Sequence, residues 1–291
     1  MDAYRIPAEC FDSLPGYDFD PHYIEQDGLR LHYLDEGAGP AVLLLHGEPT
    51  WSYLYRKVIP ELTATARAIA PDYFGFGRSD KPLRIEDYTY DFHVRAITLL
   101  AEELDLRDAT VVVQDWGGPI GLRLAVENPD RIGKLVIMNT GIGGGRPPSD
   151  EWLRFRDWLR RLGTELIPGR LVQISAVQPI SDDVVEAYSE PWPVPEAKAG
   201  IVAFPDLVPI SPDHPDLPAH LAVRERLGHW EKPALVLFSD SDPIFSPHVA
   251  ERIAEHIPGA LPPEIVAGAG HFLQEDQGEL IGKRIARFVT A

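Results

Sequence analysis

The sequence contains almost no cysteine: Cys10 is the only one among 291 residues. One thiol excludes an internal disulfide and every metal site built from several cysteines. Such low cysteine usage is typical of a reducing compartment, and we expect a cytoplasmic protein.

Basic residues are scarce as well. The chain has 27 Lys and Arg against 45 Asp and Glu, which gives a formal net charge of -18 at pH 7. It therefore has no basic surface that would neutralise phosphates, and we expect neither nucleic acid nor a membrane as a partner. The excess acid predicts a solvated surface. We also expect a monomer.

Long apolar runs are also lacking. The first 20 residues carry acids and prolines where a signal peptide would have a basic and then an apolar segment. No apolar run approaches the roughly 20 residues that cross a bilayer. The sequence shows no dinucleotide fingerprint, P-loop or zinc-ligand spacing, so we expect no cofactor and no metal.

Short apolar, β-branched runs occur at 41–46, 66–71, 110–114, 134–139, 234–239 and 264–267. Helical patterns separate them at 90–104, 118–127, 247–256 and 275–288. This alternation predicts an α/β fold with a mostly parallel, doubly wound sheet. Two further segments, 22–26 and 29–35, flank Asp27-Gly28 and predict an N-terminal antiparallel hairpin.

The alternation stops after Asn139. Residues 141–148 are rich in Gly and Pro, helical patterns follow at 150–162 and 182–188, and a proline-dense run without a strand pattern covers 191–218. We interpret 141–212 as a helical cap inserted into a core domain made of 1–140 and 213–291.

The run Val-Val-Val-Gln-Asp-Trp-Gly-Gly at 111–118 ends a strand and opens a helix, as the nucleophile turn of an α/β hydrolase does. Asp115 stands where that fold usually has serine, and Val113 replaces the usual first glycine. A carboxylate is ionised at neutral pH and attacks saturated carbon without a base. The alternative is that Asp115 only caps the following helix.

Two later segments supply partners for Asp115 in the chain order of this fold. His271 follows the last strand pattern within Gly-His-Phe, and Asp240 and Asp242 follow the strand before it. Asp242 lies further into its loop, so we expect it to orient His271, while Asp240 shapes the turn. A buried structural histidine is the alternative for His271.

A turn with the sequence His-Gly-Glu-Pro-Thr-Trp at 46–51 follows another strand. This fold takes an oxyanion-hole N–H from that position. The expected donors are the backbone N–H groups of Glu48 and Trp116.

Together these motifs resemble the haloalkane dehalogenases over nearly the whole chain. The resemblance is carried by His-Gly-Glu-Pro-Thr-Trp-Ser at 46–52, Ala-Pro-Asp-Tyr-Phe-Gly-Phe-Gly-Arg-Ser-Asp-Lys-Pro at 70–82, Gln-Asp-Trp-Gly-Gly at 114–118 and Gly-His-Phe at 270–272. It implies hydrolysis of small haloalkanes by water through an ester of Asp115, with release of alcohol, halide and a proton.

The resemblance also implies two N–H donors for the departing halide. Trp116 matches the first. Glu48 stands where one branch of the family has asparagine, so the chain resembles the branch that uses a cap tryptophan. Among Trp152, Trp158 and Trp192, the spacing to Pro179 favours Trp158. The implied pocket residues are Pro119, Phe204, Pro205, Val208, Ile244 and Phe245.

Two other functions remain open. An epoxide hydrolase would use the same aspartate and a cap tyrosine such as Tyr188, although Gln114 and Glu48 differ from the residues usual in those enzymes. Fluoroacetate-type dehalogenases fit less well, because the Asp115 turn lacks their arginine. A non-catalytic ligand-binding protein on the same fold is the remaining alternative.

Overall fold

The computed structural model describes residues 1–143 and 149–291. The C-terminal part of the predicted Gly- and Pro-rich loop, 144–148, lies outside the described residues. In the described part the strands are β1 Ala3–Tyr4, β2 His22–Gln26, β3 Leu29–Gly37, β4 Ala41–Leu45, β5 Arg67–Pro71, β6 Lys81–Pro82, β7 Ala109–Gln114, β8 Ile132–Met138, β9 Ala234–Ser239 and β10 Glu264–Val266.

Eight of these strands form one sheet in the order β10-β9-β8-β7-β4-β5-β3-β2. The strands from β10 to β5 are parallel to their neighbours, while β2 and β3 form the antiparallel N-terminal hairpin, and β3 pairs antiparallel with β5. Strand β7 lies inside the sheet, and all six of its residues are buried. The predicted α/β-hydrolase architecture is confirmed.

Helices connect these strands. Their bounds are α1 Ile59–Leu62, α2 Tyr90–Glu103, α3 Gly117–Glu127, α4 Asp150–Leu162, α5 Pro168–Ser175, α6 Asp182–Ser189, α7 Ala199–Leu207, α8 Leu217–Leu227, α9 Pro247–His256 and α10 Leu273–Thr290. Helices α2 and α8 pack against α3, and α1 packs against α10. No helix among the described residues is both long and apolar enough to cross a bilayer.

The segment between β8 and β9 holds helices α4 to α8. Helices α4 and α6 lie where the helical patterns predict them. The sequence pattern did not predict α5, α7 or α8. The prolines of α7 and α8 resemble helix breakers. Pro218 lies in the first turn of α8, where a missing N–H costs little, and Pro205 lies in the last turn of α7. The division into a core of 1–140 and 213–291 and a cap of 141–212 remains a prediction.

Candidate active site

Asp115 lies at the carboxyl end of β7, in a left-handed backbone conformation with φ of 48°. Only a few per cent of residues other than glycine adopt this region, so neighbouring contacts must hold the turn. The Asp115 N–H donates to the carbonyl of Asn139 at 3.0 Å, and its carbonyl accepts from Gly118 N–H at 2.9 Å and from the Thr140 hydroxyl at 2.6 Å. The turn therefore presents the carboxylate at a fixed position.

The β4 turn approaches this carboxylate closely. The backbone N–H of Glu48 donates to Oδ1 of Asp115 at 2.9 Å. A Cβ atom at Gly47 would overlap the Asp115 carboxylate, and one at Gly118 would overlap the Thr140 hydroxyl. Glycine at these two positions therefore permits the approach. The structure places the Glu48 N–H where the sequence predicts an oxyanion donor.

His271 lies between two carboxylates. Its Nδ1 is 2.7 Å from Oδ2 of Asp242, and its Nε2 is 3.6 Å from Oδ2 of Asp115. The other Asp242 oxygen accepts from the N–H groups of Ile244 and Phe245 at 2.7 and 3.0 Å. These contacts orient the imidazole toward Asp115.

Asp240 does not reach His271. Its carboxylate accepts from the backbone N–H groups of Gly268 and Ala269 at 3.0 and 3.4 Å. It therefore shapes the loop before His271, and Asp242 is the acid that the structure brings to the imidazole.

The two carboxylates determine the charge of His271. Burial alone would lower the pKa of His271, but the charges and hydrogen bonds of Asp242 and Asp115 outweigh burial and raise the pKa to about 10. Burial opposes ionisation of Asp242 too, yet His271 and two backbone donors hold the pKa of Asp242 below its ordinary value. At neutral pH the resting His271 is therefore an imidazolium, and 14% of its side chain is exposed.

Two amides that sequence reasoning missed support the His271 loop. Asn139, just after β8, donates to the carbonyl of His271 at 3.1 Å and to the Ser239 hydroxyl at 2.8 Å. Gln114, the last residue of β7, donates to the same His271 carbonyl at 3.2 Å. A polar residue at the end of a buried strand is the sequence signal that could have identified both.

A cavity of about 1000 Å³ opens in front of these groups, and Asp115, Glu48, Trp116, Asp242 and His271 lie in its wall. Five residues predicted for the pocket also lie in the wall: Pro119, Pro205, Val208, Ile244 and Phe245. Apolar walls weaken the hydration of a carboxylate and strengthen its interactions. Among the described residues, no group of three or more His, Cys, Asp or Glu side chains is arranged to hold a metal ion.

Comparisons with known proteins agree with this geometry. A family model described as alpha/beta hydrolase fold matches residues 40–164. The haloalkane dehalogenase of Mycolicibacterium paratuberculosis is 45% identical over 100% of this chain and 99% of its own length. Haloalkane dehalogenase 1 of Mycobacterium tuberculosis is 47% identical over 100% of both chains. The chain belongs to the haloalkane dehalogenase family.

Solved structures of haloalkane dehalogenases match the fold in three dimensions. The tetrameric haloalkane dehalogenase DpaA from Paraglaciecola agarilytica superposes with a TM-score of 0.93 at 34% identity, covering 98% of this chain and 97% of that one. DatA from Agrobacterium tumefaciens gives a TM-score of 0.84 at 26% identity, covering 98% and 99%. The likeness to other haloalkane dehalogenases therefore extends over the whole fold.

Trp158 does not reach the cavity, which corrects the choice made from spacing. Helix α4 contributes one of its faces to the cavity wall, with the side chains of Trp152, Phe155, Arg156 and Leu159. These positions follow the i, i+3, i+4, i+7 pattern of one helix face, and Trp158 lies about 240° around the helix from Trp152. Trp158 packs instead at the edge of the hydrophobic core. Trp192 is also unsuitable, because its N–H donates to the carbonyl of Gly75 at 2.9 Å.

Phe204 is the second correction. It is fully buried and lies outside the cavity wall. Its ring packs edge-on against Trp116 with a centroid separation of 5.1 Å. Because successive residues of α7 point in different directions, Pro205 faces the cavity while Phe204 supports the Trp116 indole from behind.

The Glu48 side chain is a buried acid in the cavity wall, and its Oε1 has no hydrogen-bond partner among the described residues. Burial, followed by the charge of Asp115, raises the pKa of Glu48 well above its ordinary value. Both causes favour the neutral form of the Glu48 carboxyl over the charged form beside Asp115.

Proposed function

We propose that this chain hydrolyses the carbon–halogen bond of small haloalkanes to an alcohol, a halide and a proton. The observation that carries the proposal is the position of Asp115: its carboxylate faces a largely apolar cavity, with His271 and Asp242 beside it. The full-length identity to haloalkane dehalogenases supports the same reaction.

In the first step an Asp115 oxygen attacks the halogen-bearing carbon in line. The carbon–oxygen bond of an alkyl ester forms, and the halide leaves with the electron pair of the broken bond. The indole N–H of Trp116 donates to the halide, since an N–H has no lone pair that would repel an anion. Trp152 replaces Trp158 as the proposed second donor, because it is the cap tryptophan in the cavity wall.

Ester formation changes His271 as well. It removes the charge of Asp115, one of the two carboxylates that raise the pKa of His271. The pKa of His271 then falls, and the imidazole can lose its proton and act as a base. The nucleophile therefore activates the base for the second step by losing its own charge.

In the second step neutral His271, oriented by Asp242, takes a proton from water, and the water oxygen attacks the ester carbonyl carbon. The N–H groups of Glu48 and Trp116 stabilise the oxyanion. Collapse of the intermediate restores the Asp115 carboxylate and releases the alcohol. One proton leaves to solvent for each halide.

An epoxide hydrolase is less well supported. Tyr188 is the only tyrosine between 141 and 212. Its hydroxyl is fully buried, donates to Glu275 at 2.7 Å and does not lie in the cavity wall. No cap tyrosine is therefore placed to protonate an opening epoxide. A binding protein that has lost catalysis is disfavoured, because the nucleophile, base and acid are in contact.

The test is release of bromide and protons from 1,2-dibromoethane and 1-bromobutane. Asp115→Asn is the matched control, because asparagine tolerates the left-handed backbone while losing the charge. Sustained equimolar release by the native chain, abolished in Asp115→Asn, is the expected result. Folded protein that releases nothing would contradict the proposal, and epoxides would be tested next.

We also propose a cytoplasmic monomer, supported by the single cysteine and the excess acidic charge. The tetramer of DpaA belongs to a protein with 34% identity. Light scattering of the purified chain at micromolar concentration is expected to give the monomer mass of 32.4 kDa, and a mass four times larger would contradict this proposal.

A further inference from the structure

Arg156 is an unusual cation in the cavity wall. It lies on the same face of α4 as Trp152, and only 11% of its side chain is exposed. Its guanidinium carbon lies over the Trp152 ring, 5.6 Å from the centroid. By contrast, the side chain of Arg154 on the same helix is 69% exposed and pairs with Glu151. Of these two arginines of α4, only Arg156 is therefore enclosed.

The guanidinium of Arg156 keeps donors available. Its Nε and Nη2 donate to the Asp157 carboxylate at 3.2 and 2.9 Å. Within the described part of the chain, Nη1 has no hydrogen-bond partner. The Asp157 side chain is 51% exposed, so solvent screens much of its charge. The cavity therefore contains a positive charge with unused N–H groups.

The proposed reaction moves negative charge from Asp115 to the leaving halogen, whose proposed second donor, Trp152, lies on the same face of α4 as Arg156. Asp115 loses its charge as the ester forms, and the leaving halogen gains it. A cation fixed on the halogen side stabilises the transition state more than the ground state, which is the condition for faster chemistry. The chain has a net charge of -18, so its overall field repels a halide.

We propose that Arg156 is a halide-binding residue, which acts with the indole of Trp152 to hold the anion that leaves Asp115. This inference rests on the proposed dehalogenase function. It assigns the anion a charged partner in the cap in addition to neutral indole donors. Charge-assisted donors bind anions more strongly than neutral ones, so removal of the charge should weaken halide binding about tenfold.

The direct test is equilibrium binding of bromide, followed by quenching of tryptophan fluorescence, which needs no turnover. Arg156→Gln removes the charge and Arg156→Lys retains it. Arg154→Gln is the matched control, because it changes the net charge equally on an exposed face of the same helix. Thermal melting verifies that each variant is folded.

We expect bromide to bind the native chain saturably, with about tenfold weaker affinity in Arg156→Gln, an intermediate loss in Arg156→Lys and less than a twofold change in Arg154→Gln. In a His271→Gln background, Arg156→Gln should also slow the single burst of bromide from 1-bromobutane. Unchanged affinity in a folded Arg156→Gln, or no bromide binding by the native chain, overturns the inference.

The two proposals fail in different ways. If the native chain releases bromide in a reaction that needs Asp115 while Arg156 variants bind bromide normally, only the role of Arg156 is wrong. If no haloalkane is hydrolysed, the proposed function fails whatever the binding data show.

Discussion

Asp242 accepts a hydrogen bond from Nδ1 of His271 at 2.7 Å, within a loop that also donates two backbone N–H groups to the same carboxylate. This pair fixes the tautomer of the imidazole and directs Nε2 toward Asp115. We propose that this geometry divides the roles: His271 and Asp242 serve the hydrolysis of the ester, and Asp115 and the halide donors serve its formation.

The division predicts the effect of Asp242→Asn. Alkylation of Asp115 should proceed, but ester hydrolysis should slow by about 10³- to 10⁴-fold, since asparagine favours the wrong tautomer of His271. Rapid-quench measurements of bromide and alcohol should show one bromide per enzyme and delayed alcohol. Asp240→Asn is the control, because the Asp240 carboxylate supports the loop before His271 without reaching the imidazole. Equal loss of turnover in both variants would contradict the assignment.

The two steps should also differ in pH dependence. The proposed first step transfers no proton and does not use His271, so the bromide burst should be flat between about pH 6 and 9. Ester hydrolysis needs neutral His271, whose pKa is about 10 while Asp115 is charged and falls once Asp115 is esterified. Hydrolysis should therefore rise with pH through this lowered pKa and then level off. A burst that rises with pH in the same way would show that His271 also acts in the first step.

The two tryptophans of α4 give a matched pair. Trp152→Phe keeps an aromatic ring in the cavity wall and removes the indole N–H, so kcat/KM for 1-bromobutane should fall about tenfold. Trp158→Phe should leave it within twofold, because Trp158 lies outside the wall. Steady-state bromide release measures both. A larger fall of kcat/KM in Trp158→Phe than in Trp152→Phe would contradict this choice and favour Trp158 as the second halide donor.

The buried ion pair of Glu275 predicts a dependence of stability on pH. Arg56 donates two hydrogen bonds to Glu275 at 2.6 and 2.8 Å, and Lys57 donates a third at 2.7 Å. Burial would raise the pKa of Glu275, but these cations lower it from 4.5 to about 2. The stability that this shift contributes is present above about pH 4.5, and it is lost as pH falls toward 2.

Glu275→Gln leaves the Arg56 charge buried without its partner and should lower the free energy of unfolding at pH 7 by about 3–5 kcal/mol. The loss should shrink as pH falls below 4.5. Denaturant unfolding at several pH values measures it, with Glu279→Gln as the exposed control on α10. A loss that does not depend on pH would assign the effect to packing instead of charge.

The sheet and the positions of Asp115, Asp242 and His271 could be predicted because each residue lies just past the carboxyl end of a strand: Asp115 directly after β7, and Asp242 and His271 in the loops after β9 and β10. Parallel strands end at one edge of a sheet, so local patterns suffice to bring such residues together. The hydrogen bond from Gln114 to His271 joins residues 157 positions apart. The polar end of a buried strand marks Gln114 in the sequence, but no local pattern encodes its partner.

The cap could be predicted only in part. Trp158 was chosen by its distance along the chain to Pro179, whereas the helix face decides which side chain meets the cavity. The pattern of Trp152, Phe155, Arg156 and Leu159 contains that information once α4 is treated as amphipathic. Helix α7 was missed because Pro205 resembles a helix breaker, although it lies in the last turn.

Formation of an Asp115 ester is the central claim, and His271→Gln tests it most directly. The variant should be incubated with 1-bromobutane, and the intact protein and its peptides should be weighed by mass spectrometry. We predict one bromide per enzyme and a mass increase of one butyl group on the peptide that contains Asp115. Continued multiple turnover, or a peptide without the added group after bromide release, would contradict the mechanism.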